Sequence, residues 1–324
     1  MPRYIRNTVI LAKVETTAGT DAVPAGATDA VLVSNMSIVP LDANNVDRDL
    51  VRGYFGASEQ LVATASVKCS FSVELAGSGT AATAPQWGDL LLGCAMAEAL
   101  LATPNRVEYT PVSTSLKSLT IYYYDDGVLH KLFYCMGTCK LSAKIGERPL
   151  LTFDFVGLDG GATAVSNAVP TLSAWKTPVS MAKANVVDIT LGCTYATGAL
   201  AGGTVYPSTG LMLDFANSVQ YVPLLSTERV DIVDRDVVGT LEMDLTAAQE
   251  VANMATVKAN TTQGLGLTIG TAAGNKIIIH APAVQLINPK KVDYSSGVRL
   301  IGYDLRLVPT SGGSGNDELR IVTQ

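Results

Sequence analysis

A chain of 324 residues exceeds one ordinary domain, so two domains of roughly 150 residues each are expected. Charged residues make up 16%, below the roughly 25% usual for soluble proteins, and hydrophobic residues 48%, so part of the surface is expected to face other protein. The net charge of −6 argues against a partner held through phosphates, and five scattered cysteines argue against a disulfide scaffold and read as reduced, buried thiols.

In chain order, residues 7–15 read as a strand and residues 16–29, rich in Gly, Ala, Thr and Pro, as a loop. Residues 31–41 form the next predicted strand, ended by Pro40. Residues 42–66 then turn polar and read as a long loop, with Asp47, Arg48, Asp49, Arg52, Tyr54 and Phe55 set among glycines. Long loops inside compact domains are functional or disordered, and these residue types are enriched at interfaces, so the six are candidate subunit contacts. Residues 67–75 alternate apolar and polar side chains, the pattern of a half-buried strand. Residues 87–102 are rich in Ala and Leu between Pro85 and Pro104 and predict a helix, apolar nearly all round.

Residues 119–124 and 128–135, joined through Asp125-Asp126-Gly127, read as a hairpin, because Asp-Gly supplies the positive φ of a tight turn. Two further strands, 138–145 and 150–156, close the first half. Residues 161–180, with Pro170, Trp175 and Pro178, read as a linker. In the second half a shorter helix is expected over 247–259 after a Thr246 cap. It is followed by a second hairpin turning at Gly274-Asn275 and by strands 284–287 and 298–307. The glycine-rich segment 311–315 is a flexible joint before a final strand, 318–322, suited to pairing with another chain's sheet edge. The longest apolar stretch, 90–101, is too short to span a bilayer and carries Glu98, and the N-terminus lacks a signal-peptide core, so a cytoplasmic origin is expected.

The two halves share landmarks in one order. Val39-Pro40-Leu41 is echoed by Val222-Pro223-Leu224, Val73-Glu74-Leu75 by Leu241-Glu242-Met243, Leu119-Thr120-Ile121 by Leu267-Thr268-Ile269, and Phe153-Asp154-Phe155 by Tyr303-Asp304-Leu305. Collinear matches of this kind are what a duplication leaves behind. The offset falls from 183 (positions 39 to 222) to 168 (73 to 241) and 148 (119 to 267), so the first copy carries insertions. A fifth match, Asp47-Arg48-Asp49 with Asp234-Arg235-Asp236, has an offset of 187 and is set aside as coincidence, since it would need compensating gaps.

No catalytic, cofactor-binding or metal constellation is expected. His130 and His280 fall within predicted hairpin strands and read as structural. Tyr122, Tyr123 and Tyr124 alternate between the faces of a strand and read as sheet packing in preference to a base-stacking platform. Cys135 and Cys139 lie four apart on a strand, too far to share a disulfide or zinc ion, and neither has a nearby histidine base. Phosphate-loop and common hydrolase patterns are missing from the sequence.

Several stretches together resemble the two-domain major tail tube proteins of long-tailed bacteriophages. They are residues 10–21 (Ile-Leu-Ala-Lys-Val-Glu-Thr-Thr-Ala-Gly-Thr-Asp), 48–52 through 58–61, Val73-Glu74-Leu75-Ala76-Gly77-Ser78-Gly79-Thr80, Ala84-Pro85-Gln86-Trp87-Gly88, 121–123 with 126–131, 281–286 and Asn316-Asp317-Glu318-Leu319. The resemblance covers nearly the whole chain and rests on the order of the motifs. It implies a mainly β fold of two tandem tail-tube-like β-sandwich or partial-barrel modules, each with a flanking α-helix, plus a C-terminal arm. The modules would span 1–160, with the loop at 42–66 and the helix at 87–102, and 181–310, with the arm at 311–324.

The resemblance also implies a structural virion protein, assembled in the host cytoplasm. Three chains would make a pseudo-sixfold ring, and stacked rings a tube that meets other tail proteins at its two ends. Genomic DNA would pass through the lumen without specific binding, and no membrane or cofactor is involved. Three chains would carry about −18, and an acidic lumen would repel phosphate and let DNA slide. Two rivals are a sandwich-type binding module for a glycan or surface protein, and an enzyme with a cysteine nucleophile.

Overall fold

The computed structural model describes residues 2–310, 312–313 and 315–324. The chain is mainly β, with 21 strands and two α-helices among the described residues. The first half runs β1 (Thr8–Val14), β2 (Ala30–Val31), β3 (Ser34–Asp47), β4 (Gln60–Glu74), α1 (Gly88–Leu92), β5 (Met96–Ala102), β6 (Asn105–Pro111), β7 (Leu119–Asp125), β8 (Val128–Lys144) and β9 (Leu150–Ala164). Residues 165–185 contain no helix or strand. Then follow β10 (Val186–Leu191), β11 (Thr194–Ala196), β12 (Ala199–Ala201), β13 (Thr204–Val205), β14 (Ser208–Asp214), β15 (Asn217–Pro223), β16 (Glu228–Arg235), β17 (Val238–Met243) and α2 (Ala247–Lys258). The chain ends with β18 (Thr262–Ile269), β19 (Ile277–Tyr294), β20 (Val298–Leu307) and β21 (Arg320–Thr323).

Sheet pairing among the described residues is antiparallel, and most of it forms two series. In the first, β3 pairs with β4, β4 with β9, β9 with β8, β8 with β7 and β7 with β1. In the second, β14 pairs with β17, β17 with β20, β20 with β19, β19 with β18 and β18 with β10. The series are joined where β14 lies against the end of β8, from Gly210 opposite Lys144 to Asp214 opposite Lys140. Gly210 sits at φ 119°, and a Cβ there would meet the Ala143 carbonyl oxygen at 2.0 Å, so only glycine permits this approach. One continuous core runs through both series, from Phe71, Phe153 and Phe155 to Leu241, Tyr303 and Leu305.

Local chemistry explains several elements. Asp126 and Gly127 take φ of 42° and 93°, giving the β7–β8 turn the positive angles that such a turn requires. Thr246 caps α2 through a capping box with Gln249, satisfying two otherwise orphaned N–H groups. Tyr123 enters the main core while Tyr122 and Tyr124 join a smaller cluster with Leu11 and Leu129, as strand alternation requires.

Four expectations are corrected. The helix expected over 87–102 is only Gly88–Leu92; Gly93 caps it, Ala95 turns the chain at φ 57°, and Met96–Ala102 is β5, paired along its length with β6. Tertiary pairing there outweighs the helical preference of Ala and Leu, which is worth less than about 1 kcal/mol per residue. Residues 42–66 are not one loop, because β3 and β4 extend into a long hairpin and leave only 48–59 between them. Pro40 does not end its strand, since it falls at the break in register between Val39 and Asp42, where it is paired with no residue of β4 and its missing N–H costs the ladder nothing. The C-terminal strand is not a free arm: β21 inserts between β6 and β19 of its own chain, burying Leu319, Ile321 and Val322. Ser311 and Ser314 of the expected joint lie outside the described residues.

Candidate assembly surface

The six residues proposed as contacts gather at the end of the β3–β4 hairpin. Asp47 closes β3 and accepts a hydrogen bond from Gln60 Nε2 at 2.5 Å, which defines the base of the tip. Arg48 and Arg52 both pair with Glu59, the latter at 3.0 Å, so the arginines share one carboxylate. These pairs are solvent-exposed and contribute about 0–1 kcal/mol each, too little to fix the tip by themselves. Asp49 is exposed beside them. Tyr54 and Phe55 are 70% and 107% exposed, and Val51 is 103% exposed. Large apolar side chains held this far into water make the tip a candidate contact surface.

A second arm shares this character. The β15–β16 hairpin, paired from Asn217 opposite Arg235 to Pro223 opposite Glu228, turns through Leu224 and Leu225, the latter 112% exposed. Val51, Leu224 and Leu225 are not among the contacts expected from the sequence, since charged and aromatic types carry that expectation. Two adjacent leucines between Pro223 and Ser226, inside a turn, were the available signal. The β15–β16 hairpin is anchored at its base by a side chain: Asn217 donates from Nδ2 to the carbonyls of Cys94 and Gly137, both at 2.9 Å.

The chemistry-bearing residues lie elsewhere. His130 sits within β8 opposite Tyr123, and His280 within β19 opposite Gly266. His280 is buried, 5.8 Å from the Tyr195 ring, which itself lies 4.6 Å from the Arg320 guanidinium. Glu108 accepts from Tyr195 Oη at 2.6 Å and from Arg106 Nε at 2.6 Å, and faces Arg320 at 3.3 Å. Burial works against it, but these hydrogen bonds and charges hold the Glu108 carboxyl below its usual range. This network fastens β21 onto β6 and β19.

All five cysteines are free and buried. Burial pushes the Cys69 thiol up to about 12, and those of Cys94, Cys135 and Cys139 well above their usual value. Such thiols carry almost no thiolate at neutral pH. Among the described residues no three His, Cys, Asp or Glu side chains gather as metal ligands. No helix among them is long and apolar enough to cross a membrane.

Large antiparallel sheets with two projecting, apolar-tipped hairpins define a β-rich protein. The family model described as "Phage tail tube protein" matches residues 5–301, nearly the whole chain, and the chain belongs to that family. It is therefore a structural component of a phage tail. No curated protein matches it.

Proposed function

We propose that the chain is the repeating subunit of the tube: two modules in tandem, 1–160 and 181–310, linked by 161–180. Three chains close a pseudo-sixfold ring, and rings stack around a channel for DNA. The observation that carries this is the shared register of the two strand series. Cys69 opposes both Ile38 and Phe155, and Gly239, 170 residues on, opposes both Leu213 and Leu305. Ser70 opposes Asp154 as Thr240 opposes Asp304, and Lys140 opposes Thr152 as Lys290 opposes Gly302. One ancestral sheet copied twice accounts for these coincidences without further assumption.

Register also sorts the sequence landmarks. Phe153-Asp154-Phe155 and Tyr303-Asp304-Leu305 correspond at an offset of 150. The Val73 and Leu241 match is slipped by two, since the residue in Leu241's position is Phe71, and a slip of two keeps every side chain on its face. Leu119-Thr120-Ile121 is slipped by five against Leu267-Thr268-Ile269, because His130 opposes Tyr123 and His280 opposes Gly266. Val39 answers to Asp214, not to Val222, which lies further out on the second arm. The Asp-Arg-Asp match stays rejected: Asp47 precedes its arm's tip and Asp234 follows the tip of the other.

Stacking of identical rings is a heterologous, non-closing contact, the geometry of a filament. The exposed tip at 48–59 is the proposed connector between rings or neighbouring subunits, and other tail proteins would engage the tube's two ends. The negative net charge supports a lumen that lets DNA slide without binding. Electron microscopy of the purified protein tests the proposal: hollow rods or rings are expected, and a monomer at high concentration would overturn it. The exposed Tyr54-Phe55 pair favours one second reading, a glycan- or protein-binding module, which that monomer would support.

A further inference from the structure

Inside one chain, β14 has two neighbours. One edge pairs with β17 and the other with the end of β8, Met212 opposite Ser142 and Asp214 opposite Lys140. The strand corresponding to β14 is β3, at an offset of 175: Ser37, Ile38 and Val39 oppose Ser70, Cys69 and Lys68 as Met212, Leu213 and Asp214 oppose Thr240, Gly239 and Val238. Both strands carry a positive φ at the same point, Asn35 at 50° and Gly210 at 119°, next to the same break in register. The strand corresponding to β8 is β19, at an offset of 150, so Lys140, Ser142 and Ala143 answer to Lys290, Val292 and Asp293.

Both counterparts are half-paired. Among the described residues β3 pairs only with β4, and Lys290–Tyr294 of β19 pairs only with β20. Each therefore exposes a row of unpaired backbone N–H and C=O groups, which a sheet edge seeks to satisfy. Neither edge can meet the other as the internal join does without a second chain, because one lies at each end of the strand order.

We infer that β19 of one copy pairs antiparallel with β3 of a second copy in the register of the internal join, with Met36 opposite Asp293, Ser37 opposite Val292, Ile38 opposite Lys291 and Val39 opposite Lys290. The pairing stops at Asn35, whose Cβ stands where Gly210 has none. The partner is a second copy of this chain, and the inference rests on the ring reading above. It also accounts for the exposure of the first arm. The β15–β16 hairpin has its base bound at Gly137, near the β8–β14 join. Its counterpart, the outer half of β3 and β4, leaves Leu41, Val46, Leu61 and Val62 exposed because its seat, the β19–β20 face, belongs to another copy.

The test mixes full-length Ser37→Cys and Val292→Cys chains under assembly conditions, oxidises them, and resolves the product on a non-reducing gel. A disulfide-linked pair is expected in the mixture and in neither chain alone, whereas Leu41→Cys mixed with Val292→Cys should give at least about tenfold less. The Ser142→Cys, Met212→Cys double variant should close its disulfide within one chain, calibrating the geometry. Rods or rings that form without the 37–292 disulfide, or with equal linkage from position 41, overturn the register and leave the tube reading standing. Absence of any assembly by the unsubstituted protein overturns both. Hydrogen exchange on the unsubstituted chain gives a second readout: amides in 36–39 and 290–293 should slow about tenfold or more on assembly, and unchanged rates count against the pairing.

Discussion

Arg235 and Glu318 form an ion pair at 2.6 Å with side chains only 11% and 7% exposed, tying the chain's end to β16. Arg235 also donates to the Val112 carbonyl at 3.0 Å and to Asn316 Oδ1 at 3.2 Å. Removing one partner leaves a buried charge uncompensated, so Glu318→Ala should cost about 3–5 kcal/mol in urea unfolding. Replacing both by apolar residues, Arg235→Met with Glu318→Leu, should recover most of that loss. Equal stability of the two variants would contradict the coupling.

Stability should fall in weak acid through His280. Burial pushes its imidazole down to about 4, and the Arg320 charge acts in the same direction. The ordinary value, about 6.5, belongs to the unfolded chain, which therefore takes up the proton first. The contribution is whole above about pH 6.5, declines as pH falls toward 4, and stays lost below that, up to about 3 kcal/mol in all. Denaturant titrations at pH 7, 5.5 and 4 should show this decline reduced in His280→Gln relative to the unsubstituted protein.

Asn217 links the second arm to the first half of the chain by two buried hydrogen bonds, at 2.9 Å, to Cys94 and Gly137. Asn217→Leu strips two buried carbonyls of a donor, so a loss of about 1–3 kcal/mol is expected in chemical unfolding. Hydrogen exchange should rise in β15 and β16 more than in β20.

At the first arm's tip the expectation separates stability from assembly. Tyr54→Ser with Phe55→Ser removes exposed side chains and should change subunit stability by no more than about 0.5 kcal/mol per site. Sedimentation should nevertheless find soluble subunits where the unsubstituted protein forms rods. Deleting 48–59 should act the same way, and normal rods from either variant would remove the tip from the assembly surface.

The five thiols offer a direct check on core packing. Because all are buried, with Cys69 pushed up to about 12, a water-soluble thiol reagent should label the native protein at a small fraction of its rate in urea. Fast labelling of even one cysteine in native buffer would mean that its surroundings are looser than the core described.

The sequence alone determined what depends on neighbours a few residues away. Alternation in residues 67–75, the Asp126-Gly127 turn, the Thr246 cap of α2 and the two-faced placement of Tyr122 to Tyr124 are local, because strand period, turn angles and cap geometry are properties of short segments. Membership of the tail tube family was legible for a related reason, as an ordered string of short motifs. Tertiary structure decided everything that turned on the identity of a distant partner. Residues 96–102 are a strand because β6 lies beside them, Pro40 sits within a strand because it falls at a break in the β3–β4 register, and β21 closes a gap in its own chain. Hydrophobic pattern fixes which face of a strand is buried but leaves the neighbouring strand unspecified, so register, and with it the open edges of β3 and β19, emerged only when the strands were placed side by side.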